Sequence, residues 1–269
     1  MGNKKIGLGL MLNLIGAMFA YLIGSGFASG QETMQYFSGW GSVWASLGVA
    51  AIALLLSCLA YIAYSYAGRT RGLQDLAGIY DFYAGNVFGK LFQVFAWLFN
   101  ACCYMFMISG FGNVIHQQWG ISIPIGSAIG VVLSVTIAVM GLNKIIDIIG
   151  KVGPIIVLFT LFIGNAGIIL SLLFAIIILA AIFSTICPML WTCASMLAKD
   201  DKSKKYKLIC VIAGICVYII TLFVPYETLL NYIMTYCGYS GCVVAVVCIV
   251  RYFIIKSRDK KEGLFTESV

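Results

Sequence analysis

The residues best placed to do chemistry lie near the front of the chain, in Gly24-Ser25-Gly26-Phe27-Ala28-Ser29-Gly30-Gln31-Glu32. They interrupt an almost uncharged apolar stretch, residues 12–37, close to its midpoint. Three glycines and two serines within seven residues are poor helix formers, each Gly costing ~1 kcal/mol relative to Ala. Unwound backbone deep in a membrane leaves amides unsatisfied, at several kcal/mol each, unless they line a cavity or hold something. A break here makes two half-helices meet. The outer half begins around Phe27–Ser29 and points N–H groups inward, which suits a carboxylate. The inner half ends around Ala20–Ile23 and points carbonyls inward, which suits a cation. Gln31 and Glu32 follow on the outer half, and a carboxylate inside a span is costly enough to count as a functional candidate. Two plainer readings compete: close helix packing through small residues, and a Glu32 charge stabilised only by the half-helix dipole.

Further along, Asn100 and Tyr104 stand one helical turn apart and make a polar face that either meets the same cavity or forms interhelical hydrogen bonds. Ser184 and Thr185 are a similar pair, with bonding of their hydroxyls to carbonyls one turn back as the alternative. Enzyme chemistry finds no support. His116 is the one histidine and there is no HExxH, so a zinc protease is unsupported. Tyr80-Asp81 has no GxGD partner, Ser29 has no histidine to activate it, and Gly24, Gly26 and Gly30 mimic a dinucleotide turn without a preceding strand. No Walker motif is present, and zinc-type CxxC spacing is absent from the ten cysteines. Cys237 and Cys242, near a helix end, are the one candidate pair.

The elements that must carry these residues are membrane helices. The chain has 269 residues, of which 62% are hydrophobic and 10% charged, with a mean hydropathy of +1.01. A soluble domain is nearer half apolar and a quarter charged. Apolar runs long enough to cross ~30 Å of hydrocarbon fall at residues 12–37, 40–67, 91–111, 121–142, 154–169, 172–197, 208–225 and 232–255. These predict an all-α polytopic membrane protein of about eight spans with the first one broken. Eight spans leave both termini on one side. With Lys4 and Lys5 inside, all 17 Lys and Arg fall on inside segments, as the positive-inside rule requires of a cytoplasmic N-terminus. The net charge of +7 is therefore topology and contact with anionic lipid, not a nucleic-acid patch. Residues 72–89 and 143–151 read as amphipathic segments on the cytoplasmic face. Gly126 and Gly130 read as a packing motif, residues 199–207 as a hydrophilic loop, and the charged tail 257–269 as disordered. The apolar stretch after Lys5 outruns a cleavable signal peptide.

The string from Tyr21 to Phe37, Tyr-Leu-Ile-Gly-Ser-Gly-Phe-Ala-Ser-Gly-Gln-Glu-Thr-Met-Gln-Tyr-Phe, resembles the opening of the YkvI-type bacterial membrane proteins. Those are distant relatives of the amino acid–polyamine–organocation superfamily and of branched-chain amino acid carriers. The likeness continues over residues 143–162, where an amphipathic segment leads into a Gly-Pro-opened helix as in LeuT-type transporters. It returns at Ala181-Ile-Phe-Ser-Thr185, which is similar to the helix-eight segment completing a sodium site in that fold. The resemblance implies that the carbonyls of Ala20, Ile23 and Ala181, with the hydroxyls of Ser184 and Thr185, hold Na⁺. It implies that the amides around Gly24, Ser25, Gly26, Phe27 and Ala28 hold a substrate carboxylate, with Ser29, Gln31, Glu32, Asn100 and Tyr104 around them.

The chain departs from that family in length. A first five-helix part occupies residues 1–169, and residues 172–256 resemble helices eight to ten, so helices six and seven are missing and a shortened 5+3 fold is expected. Losing two helices preserves the inside/outside parity but removes half of the expected cavity. The expected function is an ion-coupled secondary transporter of a small organic solute, an amino acid among the candidates, in the bacterial cytoplasmic membrane. It would use Na⁺ or H⁺ and no other cofactor. The alternatives are a non-transporting receptor or accessory subunit and an inactive, internally deleted family member. Expected partners are the bilayer, the solute and a second copy filling the groove left by the absent helices.

Overall fold

The computed structural model describes residues 38–73, 75–151, 168–198 and 200–262, with the single positions 7, 9, 11, 15 and 16. Every regular element among them is helical: α1 Val43–Arg71, α2 Leu76–Trp119, α3 Ile123–Val139, α4 Ile168–Leu197, α5 Lys204–Phe223 and α6 Tyr226–Lys261. Residues 142–151 are also helical. Five of the described helices are long and apolar enough to cross a membrane, and α3, at 17 residues, is apolar but shorter. They coincide with the spans expected from 40–67, 91–111, 121–142, 172–197, 208–225 and 232–255. The remaining two expected spans, 12–37 and 154–169, lie almost wholly outside the described residues, as do Ala20, Ile23 and the whole Gly24–Glu32 string. Among the described residues the regular structure is all helical, and its long apolar helices are those of a membrane-embedded protein.

Local chemistry sets the helix ends. Ser42 caps α1 by accepting the Ala45 N–H at 3.1 Å, and Ser203 does the same for α5 from Tyr206 at 3.1 Å, each satisfying one amide of the first turn. α1 stops where Gly72 takes a left-handed φ of 66°, a conformation Gly adopts without steric cost. Along α1 only Ala63 and Ala67 are buried, and Trp44 is 84% exposed. In water such a surface would be an aggregation site; against lipid tails, as apolar as the side chains themselves, it carries no such liability.

The chain folds as two compact units, Met1–Met34 with Asn100–Tyr232 and Gln35–Phe99 with Ile233–Val269. They interleave along the sequence. In the first, α3 packs on α4 and α5, and α4 on α5. Small residues allow the close approaches: a Cβ on Gly126 would lie 2.9 Å from the Gly112 Cα, and one on Gly130 3.0 Å from the Phe111 ring. Gly126 and Gly130 are thus the packing motif that their spacing suggested.

The second unit is built around an aromatic core of Tyr80, Tyr83, Phe92 and Tyr252, closed by Ala63, Ala67 and Cys248. Its distinctive element is a sharp turn at Gly85 (φ 75°, ψ 174°) inside α2. Residues 76–84 fold back against the helix that follows. Gln93 Nε2 reaches the Ala77 carbonyl at 3.0 Å and Asp81 Oδ1 at 2.9 Å, and the Asp81 backbone lies directly over Gly89. The amphipathic segment expected over 72–89 is this folded-back arm. Arg251 Nε donates to the Tyr83 carbonyl at 2.9 Å, near the end of the arm where helix carbonyls lack partners. One expectation is corrected here: the tail is not disordered from residue 257, because α6 continues to Lys261. Asp259, 1% exposed, accepts a two-pronged Arg71 bond at 2.9 Å and the Tyr66 hydroxyl at 2.8 Å. That pairing orders the last turn despite its charged composition.

Candidate functional site

Of the residues expected to hold a coupling ion or a substrate, five lie within the described residues. Ala181, Ser184 and Thr185 come together on α4. Their place is dictated by the helix, since positions three and four apart share a face. The Ser184 hydroxyl donates to the Ala181 carbonyl at 2.7 Å and the Thr185 hydroxyl to the same carbonyl at 3.0 Å. All three residues are fully buried, near the midpoint of the expected 172–197 span. This is the one-turn-back bonding weighed as the alternative, and it gathers three oxygens within hydrogen-bonding distance. Such oxygens are hard donors of the kind that bind alkali and alkaline-earth cations, and a hydroxyl can rotate its proton away to present a lone pair. Seven residues on and along the same face, the Trp191 indole N–H is buried without a hydrogen-bond partner among the described residues.

Asn100 and Tyr104 are both buried on α2. The Tyr104 hydroxyl meets Ser134 Oγ of α3 at 2.7 Å. Ser134 itself donates to the Val131 carbonyl at 3.0 Å, so it accepts from Tyr104. The tyrosine therefore joins α2 to α3, the interhelical role that was its alternative reading. Ser134 is the partner that sequence reasoning missed, because nothing in a linear string ties positions 30 apart. Tyr206 makes a parallel tie, its hydroxyl donating to the Ala138 carbonyl at 2.9 Å. Among the described residues no three His, Cys, Asp or Glu side chains are grouped to hold a metal. Cys237 and Cys242 are free thiols.

The first unit also contains a cavity of about 560 Å³, bounded by the end of α2, the start of α3 and the α5–α6 junction. Ser109, Asn113 and Gln117 contribute a polar stripe from α2 at four-residue spacing, and Ser127, Thr221 and Tyr226 add hydroxyls from the facing elements. Among the described residues no charged side chain lines it. Sequence reasoning passed over this stripe, although the i, i+4, i+8 spacing of Ser109, Asn113 and Gln117 within an apolar run was a readable signal. The chain matches no protein-family model, no curated protein and no solved structure.

Proposed function

We propose that this chain is an ion-coupled secondary transporter of a small organic solute, with amino acids the first class to test, working in the bacterial cytoplasmic membrane with both termini inside. The observation that carries the reading is the buried oxygen cluster of Ala181, Ser184 and Thr185. Polar groups placed that deep in an apolar helix are expensive, and in membrane helices they mark ion and substrate paths. The Gly24–Gly30 interruption in the first span supplies, from sequence, the amides and carbonyls that would face a solute carboxylate and a cation. The coupling ion is Na⁺ through the α4 oxygens, or H⁺ through Glu32.

The test begins with purified chain melted in Na⁺ against K⁺, with and without pooled amino acids. A ligand of the folded state stabilises it by RT ln(1 + [L]/Kd), ~2.7 kcal/mol at a hundredfold excess over Kd. Uptake into proteoliposomes under a Na⁺ or H⁺ gradient follows. Thr185→Val, which removes one cluster oxygen but keeps the shape, should raise the Na⁺ concentration needed for half-maximal uptake. Gly26→Leu should abolish uptake while insertion stays normal. Undiminished uptake in Gly26→Leu refutes the site. Saturable ligand binding with no flux under either gradient replaces transport by a receptor role, and a cooperative melt that no ion or amino acid moves favours the inactive remnant.

A further inference from the structure

We infer that the 560 Å³ cavity at the α5–α6 junction is a binding site for an uncharged, hydroxyl-rich solute of monosaccharide to disaccharide size. This stands on its own observations and does not depend on the transport reading. The first observation is Ser109. Among the described residues the other buried serine and threonine hydroxyls all donate to a backbone carbonyl: Ser127 to Ile108, Ser134 to Val131, Ser184 and Thr185 to Ala181, Thr221 to Tyr218. Ser109 is only 3% exposed, lines the cavity, and has no such partner among the described residues. A hydroxyl that bonds no described protein group and faces a cavity is free to bond a ligand there.

The rest of the wall fits the same ligand. Asn113 Nδ2 donates to the Ser109 carbonyl at 3.1 Å, which fixes the amide and leaves its Oδ1 as an acceptor. Pro225 has no N–H, so the Thr221 carbonyl on the cavity wall has no donor four residues on. Gln117, exposed at the mouth, adds an amide about 12 Å along α2 from Ser109 at 1.5 Å per residue. Acceptors thus predominate, which selects a ligand with several O–H donors. Two features favour an uncharged ligand. No ionised side chain among the described residues lines the cavity, and its walls bring together two helix C-termini (α2, α5) and two N-termini (α3, α6), whose dipole ends offset each other. A zwitterion would give up the hydration of two full charges with no counter-charge among the described lining residues. The volume lies within the ~300–1,000 Å³ of small-molecule sites.

The test is equilibrium dialysis of the full chain, in a sugar-free detergent, against radiolabelled myo-inositol, sucrose and alanine, with unlabelled competitor. At least one neutral polyol should bind saturably at one site, and more tightly than alanine. Ser109→Ala and Gln117→Ala should each weaken that binding about fivefold to tenfold, the worth of one good hydrogen bond. In the absence of ligand, Ser109→Ala should melt close to the parent's temperature, because the hydroxyl it removes bonds no described protein group. Gln117 is exposed, so its variant keeps the test valid whatever Ser109→Ala does to folding. Absence of saturable polyol binding, tighter binding of alanine, or polyol affinity unmoved by both substitutions would each overturn the inference.

Discussion

Arg71→Met should destabilise the protein more than Asp259→Asn, although both delete the same ion pair. The asymmetry follows from burial: the Asp259 side chain is 1% exposed and that of Arg71 31%. Removing Arg71 strands a buried carboxylate beside Tyr66, and breaking a buried pair in this way costs about 3–5 kcal/mol. The Tyr66 hydroxyl at 2.8 Å remains and offsets ~1 kcal/mol of that. The contact of the guanidinium with the Phe82 ring, 5.4 Å to its centroid, is lost as well, at about 0.5–1 kcal/mol. The expected cost is therefore roughly 3–5 kcal/mol. Asp259→Asn keeps the shape and leaves a guanidinium that already reaches water, so about 1–2 kcal/mol is expected. The double variant should cost less than the sum of the singles by ~1–3 kcal/mol, the coupling of groups in contact. Thermal unfolding in detergent, followed with a thiol-reactive fluorogenic dye, reads this directly. Cys103, Cys187, Cys193, Cys210 and Cys248 are buried free thiols that react only on opening, and Cys248 sits in the core of the same unit. Equal costs for the two singles, a larger cost for Asp259→Asn, or strict additivity in the double variant would refute the reasoning.

Other substitutions test the folded-back arm and the cytoplasmic charge pattern. A Cβ at position 89 would lie 2.7 Å from the Asp81 Cα and 2.9 Å from its N. Gly89→Ala should accordingly lose about 1–3 kcal/mol through overpacking against backbone. Gly48→Ala, with nothing within 4 Å, should instead gain ~0.5–1 kcal/mol as an ordinary helix substitution; the same melting assay separates the two. The hydrogen bond and charge of Lys151, 3.0 Å away, hold the Asp147 carboxyl below the usual carboxylate range. A depressed folded value means the pair contributes above the unfolded value of ~3.9 and loses its contribution as pH falls through the folded value. Asp147→Asn should flatten that part of the acid melting profile, measured by tryptophan fluorescence, and leave stability near neutral pH changed only slightly because the pair is exposed.

What could be read without coordinates follows a physical divide. The positions of the six spans that are described, the Gly126–Gly130 packing motif and the amphipathic stretch before the third span depend on composition and on periods of a few residues, and these the helices reproduce. The dihedral inversion at Gly85 was harder to see, because Gly85 and Gly89 each have an unremarkable place in a helical pattern until the arm folds back on them. The Arg71–Asp259 pair was invisible: 188 residues separate its members, and Arg-Asp-Lys-Lys at a chain end carries the composition of a solvated tail. Ser184 and Thr185 show a different limit. Their spacing from Ala181 predicts both a back-bonded helix turn and a set of ion ligands, because the same three oxygens serve either purpose. Tyr104 presented the same ambiguity, and its contact with Ser134 favours the packing role.

The composition of the second unit has a consequence for synthesis. Its first half, Gln35–Phe99, leaves the ribosome long before Ile233–Val269 exists. At roughly 5–20 residues per second, the 188 residues between Arg71 and Asp259 take about 10–40 s to translate. Throughout that interval the Tyr80 and Tyr83 rings lack the Cys248 and Tyr252 surface that closes over them, and Arg71 has yet to meet its carboxylate. The early helices must therefore wait in the bilayer as an unfinished half-core, exposed to whatever insertion factor or quality-control protease inspects it. The last part of the chain to be made is the part that completes the earliest.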